Sequence, residues 1–140
     1  MPLDELIDFY QTLTPANLGR FDAFYADDAW FKDPFNTVRG LPAIRHIFAH
    51  MFEQLQEPRF VITEKVGAGR TAMLVWEFSF RLRRRGTPQA MRICGASHLR
   101  FDAAGKVEYH RDYWDAAEEL YMKLPLLGRL MRTLQRYLAA

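Results

Sequence analysis

The spacing of apolar residues changes period once along the chain, near Pro58, and that change restricts the fold more than any other feature. Before it the spacing is helical. Leu3, Leu6, Ile7, Tyr10 and Leu13 fall on one side of a helix over residues 3–13, with Asp4, Glu5, Asp8 and Gln11 on the other. A second helix opens at Thr14-Pro15, a hydroxyl cap followed by Pro at the first helical position, and runs through Leu18, Phe21 and Phe24 to about Tyr25. Asp27-Asp28 interrupt the pattern, and a short strand from Ala29 to Asp33 closes at Pro34. Pro42 opens a third helix whose stripe is Ile44, Ile47, Phe48, Met51, Phe52 and Leu55.

Beyond Pro58 the period falls to two. Arg59 to Val66, Thr71 to Arg83, Gln89 to Phe101 and Lys106 to Trp114 read as strands, separated by Gly67-Ala68-Gly69, Arg85-Gly86-Thr87-Pro88 and Asp102-Ala103-Ala104-Gly105. Long strands joined by short turns make an antiparallel meander. Leu74, Trp76, Phe78 and Phe80 share one face of it, as do Ile93, Gly95, Ser97, Leu99 and Phe101. Helices followed by such a sheet predict an α+β domain, a curled antiparallel sheet with the helices packed on one face. Residues 116–138 return to helical spacing, interrupted at Leu124-Pro125.

The 140 residues contain no repeat or linker and read as one domain over 1–140. A chain of this size buries roughly two-thirds of its unfolded surface. Disorder is excluded, since 49% of residues are hydrophobic, 14% are aromatic and the net charge is only +2. No apolar run is long enough to span a bilayer. The acidic start Met1-Pro2-Leu3-Asp4-Glu5 is unlike a secretory signal, which points to the cytoplasm. The lone Cys94 has no intramolecular partner and lies on the face opposite Ile93 and Gly95, a place suited to a subunit interface.

Several segments together resemble one superfamily. They are Phe24 to Pro34, Arg39-Gly40 before a helix, Ser97-His98-Leu99-Arg100-Phe101, and Gly105-Lys106-Val107. In order and content, over roughly residues 3–116, these are similar to the cone-shaped superfamily of nuclear transport factor two, ketosteroid isomerase, the SnoaL-like polyketide cyclases and limonene epoxide hydrolase. The resemblance implies that Asp33, in its Asp-Pro, is a general base, and that Tyr10 on the first helix donates to a developing oxyanion. It places Ser97 where ketosteroid isomerase has a protonated Asp; a hydroxyl can donate there but is the poorer acid. Asp112, in Arg111-Asp112-Tyr113-Trp114-Asp115, matches a water-activating Asp of limonene epoxide hydrolase. The Arg-x-Asp partners of that Asp are replaced by Trp76-Glu77-Phe78, which argues against epoxide hydrolysis. A homodimer is also implied, and apolar Val75 and Cys94 on the second sheet face are consistent with it.

Strand geometry adds an argument of its own. His110, Asp112 and Trp114 alternate and so point together, about 6 to 7 Å between successive members. With Asp33 opposite, they form an acid and base set against aromatic walls. The bland readings are a turn residue for Asp33, a hydrogen-bonded sheet pair for His110 and Asp112, and simple core for Tyr10. Trp30, Phe31, Trp76, Phe78 and Trp114 suit a core as well as a ligand wall, with Ser97 among them as a binding contact.

Other features carry less. His46 and His50 stand four apart on the third helix, without the Glu of a zinc-binding signature and off the apolar stripe, so no metal is expected. Arg81, Arg83, Arg84 and Arg85 lack interleaved aromatics, so nucleic acid is not expected. No nucleotide motif occurs, and no cofactor is expected. Residues 120–138 form a basic amphipathic helix, either a cap on the cone, a contact with a partner subunit, or a contact with a membrane surface. The sequence thus predicts a cofactor-independent enzyme that holds a hydrophobic small molecule in an aromatic-lined cone and moves a proton on it. The alternative is a non-catalytic binder of a lipid or other hydrophobic ligand.

Overall fold

The computed structural model describes residues 3–84, 87–115 and 125–139. Helix α1 (Leu3–Gln11) carries Asp4 and Glu5 in its first turn, where the partial positive charge of the helix end favours them. A 3-10 helix (Pro15–Arg20) and a single α turn, α2 (Phe21–Phe24), follow. They replace the continuous second helix expected from the sequence, because Asn17 and Gly19 are weak α formers in so short a piece. Helix α3 (Leu41–Gln54) starts after Gly40, whose φ of +98° is a conformation that L side chains rarely adopt.

The six strands are β1 (Tyr25–Lys32), β2 (Thr37–Arg39), β3 (Gln56–Ala68), β4 (Thr71–Arg84), β5 (Thr87–Phe101) and β6 (Val107–Tyr113). They form one sheet in the order β2-β1-β6-β5-β4-β3. The meander β3 to β6 is antiparallel throughout, as expected. The sheet as a whole is mixed, since β1 joins the edge of β6 in parallel, with Phe31 beside His110. Strand β1 begins four residues earlier than the sequence predicts: Asp27-Asp28 do not break it but sit in a bulge between Tyr25 and Trp30. Strand β2 was not expected, being only three residues long. Residues 116–124 lie outside the described residues, so the long C-terminal helix is seen only as α4 (Pro125–Leu138), which starts at the expected interruption.

The helices cover one face of the sheet. Between the two layers Leu6, Phe9, Phe21, Tyr25, Ile44, Leu74, Leu99 and Val107 are fully buried. Phe9, off the expected α1 stripe, stacks on Phe24 at 4.7 Å and meets Phe21 edge-on at 4.9 Å. Such pairs contribute roughly 0.5–1.5 kcal/mol each beyond burial. A second cluster, Trp76, Phe78, Phe80 and Ile93, lines the same face further along β4 and β5, packed with Phe60, Ile62 and Trp114.

Candidate functional site

Sheet register builds the site. Leu74 pairs with Ser97 and Ser97 with Asp112, so one row crosses β4, β5 and β6. In the next rows Trp76 stands opposite Gly95, and His110 lies between Leu99 and Phe31. All these side chains face the helices. The absent side chain of Gly95 gives the Trp76 indole room to lie across the strand.

The polar groups form one continuous chain. The Trp76 indole N–H donates to Ser97 Oγ at 2.9 Å, and the Ser97 hydroxyl donates to Asp112 Oδ1 at 2.5 Å. His110 Nε2 lies 2.7 Å from the same oxygen. A carboxylate only accepts, so Nε2 carries hydrogen. On the other side of the ring, Nδ1 lies 2.6 Å from the Tyr25 hydroxyl, which in turn lies 2.5 Å from the Tyr10 hydroxyl. When His110 is neutral, Nδ1 must accept; Tyr25 then spends its one proton on His110, and Tyr10 spends its own on Tyr25. Every donor in the chain thus points toward Asp112. The His110 side chain is 4% exposed and that of Asp112 17%. Among the described residues no buried side-chain polar atom lacks a partner. Asp112 Oδ2 has no donor among them, on a residue that lines the cavity.

That cavity is narrow, about 30 Å³, and it borders a larger groove of about 280 Å³ with which it shares Phe48, Phe60, Trp76 and Asp112. The cavity wall is Phe48, Phe60, Ile62, Leu74 and Trp76, with Tyr10, Ser97, His110 and Asp112 as its polar edge. The groove is bounded by Phe31, Phe78, Ile93 and Trp114 as well as Asp33 and Asp112. Of the residues predicted from sequence, Tyr10, Ser97, Trp76, His110 and Asp112 therefore meet at the cavity, and Phe31, Phe78, Trp114 and Asp33 at the groove. Trp114 lies just past the end of β6 and packs edge-on against Phe35 at 5.6 Å.

One predicted residue is placed differently from expectation. Trp30 alternates with Phe31 and so falls on the outer sheet face, stacked on Tyr109 at 4.9 Å, away from the cavity. Asp33 is the hub of a turn: its Oδ1 accepts the backbone N–H of Phe35 at 2.8 Å and of Asn36 at 2.7 Å, and the Asn36 amide reaches both oxygens at 3.1 Å. His46 and His50 stack on α3, and among the described residues no three metal-ligating side chains converge. Tyr25 was missed. Its position at the helix-to-strand boundary hid an inward face, and only its spacing from Tyr10 and the strand alternation of Tyr25 with Ala29 and Phe31 across the bulge could have hinted at it.

Burial pushes the Tyr10 hydroxyl far above the ordinary tyrosine range; the Tyr25 hydrogen bond opposes this and the Asp112 charge adds to it. Burial does the same to Tyr25, reinforced by Tyr10 and Asp112. Below about pH 10 both phenols hold their protons folded or unfolded, and this contribution to stability is complete. Above that, only the unfolded chain ionises, so stability falls as pH rises. We expect alkaline unfolding in which Tyr10 and Tyr25 ionise together with loss of structure. Absorbance of tyrosinate followed beside circular dichroism tests this, and smooth titration of all six tyrosines with native dichroism would contradict it.

Residues 6–110 match the family model described as the SnoaL-like domain. No curated protein matches the sequence significantly. Similar solved structures include a candidate SnoaL-like polyketide cyclase from Shewanella putrefaciens CN-32, with 20% identity, 88% of this chain and 99% of that chain covered, and a TM-score of 0.69. Another is a hypothetical protein with a ketosteroid isomerase-like fold from Catenulispora acidiphila DSM 44928, in complex with trimethylamine, at 18% identity, 84% and 88% coverage and a TM-score of 0.69. A third is TsrD from Streptomyces laurentii, at 16% identity, 90% and 91% coverage and a TM-score of 0.68. At these identities the likeness is one of fold. Among the described residues no helix is long and apolar enough to cross a membrane.

Proposed function

The chain belongs to the SnoaL-like domain family, and on that premise we propose that it is a small enzyme that admits a hydrophobic carbonyl compound to its cavity and moves a proton on it, as in isomerisation or aldol-type cyclisation. What supports this reading is the continuous chain of hydrogen bonds from Tyr10 through Tyr25 and His110 that ends on one oxygen of Asp112 at the edge of an otherwise apolar cavity. We assign the base to Asp112 in preference to Asp33, whose carboxylate is engaged by its own turn.

In the step proposed, the C–H bond beside the carbonyl breaks, an O–H bond forms on Asp112 Oδ2, and the electron pair moves onto the carbonyl oxygen as an enolate. In an isomerisation Asp112 returns the proton to another carbon. In a cyclisation the enolate carbon attacks a second carbonyl, and the alkoxide formed takes the proton. All the groups used are side chains, and no cofactor is called on. The apolar wall lowers the local dielectric and so strengthens each electrostatic contact.

The enolate oxygen needs a donor, and the proton arithmetic supplies one. A second proton on His110 turns Nδ1 into a donor to Tyr25, reverses the Tyr25–Tyr10 bond, and frees the Tyr10 hydroxyl hydrogen for the cavity. The groups facing His110 are Tyr10 from α1, Tyr25 and Phe31 from β1, and Asp112 from β6.

The test is solvent exchange. The protein is incubated in heavy water with a panel of apolar cyclic ketones and β-dicarbonyl compounds, and deuterium beside the carbonyl is measured by NMR. Exchange above the buffer rate for a panel member supports the reading. Saturable binding of panel members with no exchange removes the catalytic half and leaves a hydrophobic-ligand binder.

We also propose that two copies pair through the outer sheet face, where Met73, Val75, Cys94 and Tyr113 are exposed together. Val75→Asp is expected to convert a dimer into a monomer in sedimentation velocity. A wild-type chain that sediments as a monomer ends the idea.

A further inference from the structure

Helix α4 has two faces that no residue of the site uses. Leu130, Leu134, Tyr137 and Leu138 lie on one side at spacings of three, four and seven, and they are 54%, 44%, 85% and 76% exposed. Arg129, Arg132 and Arg136 occupy the opposite side, also exposed, and the segment Pro125–Leu138 contains no acidic residue. The whole chain has a net charge of +2, so the three arginines outweigh it and the remainder is net negative. At 14 residues the helix is about 21 Å long. That is too short to cross a hydrocarbon core of about 30 Å.

We propose that α4 docks the protein on an anionic lipid bilayer, with the leucine stripe sunk into the boundary between headgroups and acyl chains and the arginines among the phosphates. A strongly two-sided helix of low average hydrophobicity, cationic on its polar side, has the composition of an interfacial helix. A second copy of α4 would cover the stripe but offers no carboxylate to the arginines on the far side, whereas an anionic bilayer supplies both an apolar phase and phosphates.

The experiment is cosedimentation of the full chain with vesicles of phosphatidylcholine alone and of phosphatidylcholine mixed with phosphatidylglycerol. The expected result is recovery with the anionic vesicles only, falling as salt is raised. Each basic residue near such a surface strengthens binding about fivefold, so Arg129→Ala with Arg136→Ala should weaken it about twenty- to thirtyfold. Leu130→Asp should abolish recovery, with circular dichroism and melting temperature showing the fold intact. Equal recovery on both vesicles, absence of binding to the anionic ones, or Leu130→Asp binding like wild type would each overturn the proposal. So would a wild-type assembly in solution that Leu130→Asp breaks apart, since the stripe would then be a protein contact.

Discussion

Asp112→Asn is expected to slow deuterium exchange by about a hundred- to ten-thousandfold, the range set by losing a positioned base. Asparagine keeps an oxygen to accept from Ser97 Oγ and His110 Nε2, so the chain of hydrogen bonds and the fold survive. What it loses is the carboxylate lone pair that takes the proton. Asp33→Asn should behave in the opposite way. Its amide cannot accept from Asn36 on both oxygens, so the Phe35–Asn36 turn loosens at about 1 kcal/mol, while exchange falls by less than about tenfold. Initial rates and melting temperatures of the two variants decide the matter. Loss of exchange in Asp33→Asn with retention in Asp112→Asn moves the base to Asp33.

Gly95→Ala should be the most damaging small change in the sheet. A methyl group there would lie 2.5 Å and 2.7 Å from ring carbons of Trp76 and 3.0 Å from Cβ of Trp114, closer than carbon atoms tolerate. Backbone conformation is no obstacle at this position, which lies mid-strand opposite Trp76. The indole must therefore swing away, which breaks its 2.9 Å bond to Ser97 and removes the group that orients Ser97 toward Asp112. Overpacking of this kind costs about 1–3 kcal/mol. Urea denaturation measures it, and exchange should drop alongside. Trp76→Phe removes the two crowded ring atoms, so adding Gly95→Ala to Trp76→Phe should cost much less than adding it to wild type. Equal costs in both backgrounds would show that the two residues are not coupled as the contact requires.

Much of the architecture was legible because period and punctuation agree in this chain. Gly67-Ala68-Gly69 and Asp102-Ala103-Ala104-Gly105 mark turns between runs of clear alternation, and that alternation also set Trp76, Phe78, His110 and Asp112 on one face. Misreadings arose where tertiary structure overrides local signal. Asp27-Asp28 look like a break, yet a bulge tolerates them because pairing to β6 resumes at Trp30. Trp30 and Phe31 are neighbours on one strand and cannot both face the cavity; the register with β6 turns Phe31 inward and Trp30 outward. The turn at Asp33 depends on Asn36, three residues on, whose side chain gives no periodic signal. Tyr25 left only the faint hint of its alternation with Ala29 and Phe31: it acquires a partner from β6, and nothing near it in sequence announces a parallel neighbour.

That parallel pairing also orders events in time. The hairpins β3–β4, β4–β5 and β5–β6 join neighbours in sequence and can close as local zippers, whereas β1 must find β6 across most of the chain, with Tyr25 and His110 separated by 85 positions. Loop closure over such a span is the slow, late part of folding. The hydroxyl of Tyr25 thus reaches His110 only when the last long-range seam shuts, and a nascent or partly opened molecule holds the meander and most of its rings while its proton path is still cut in two.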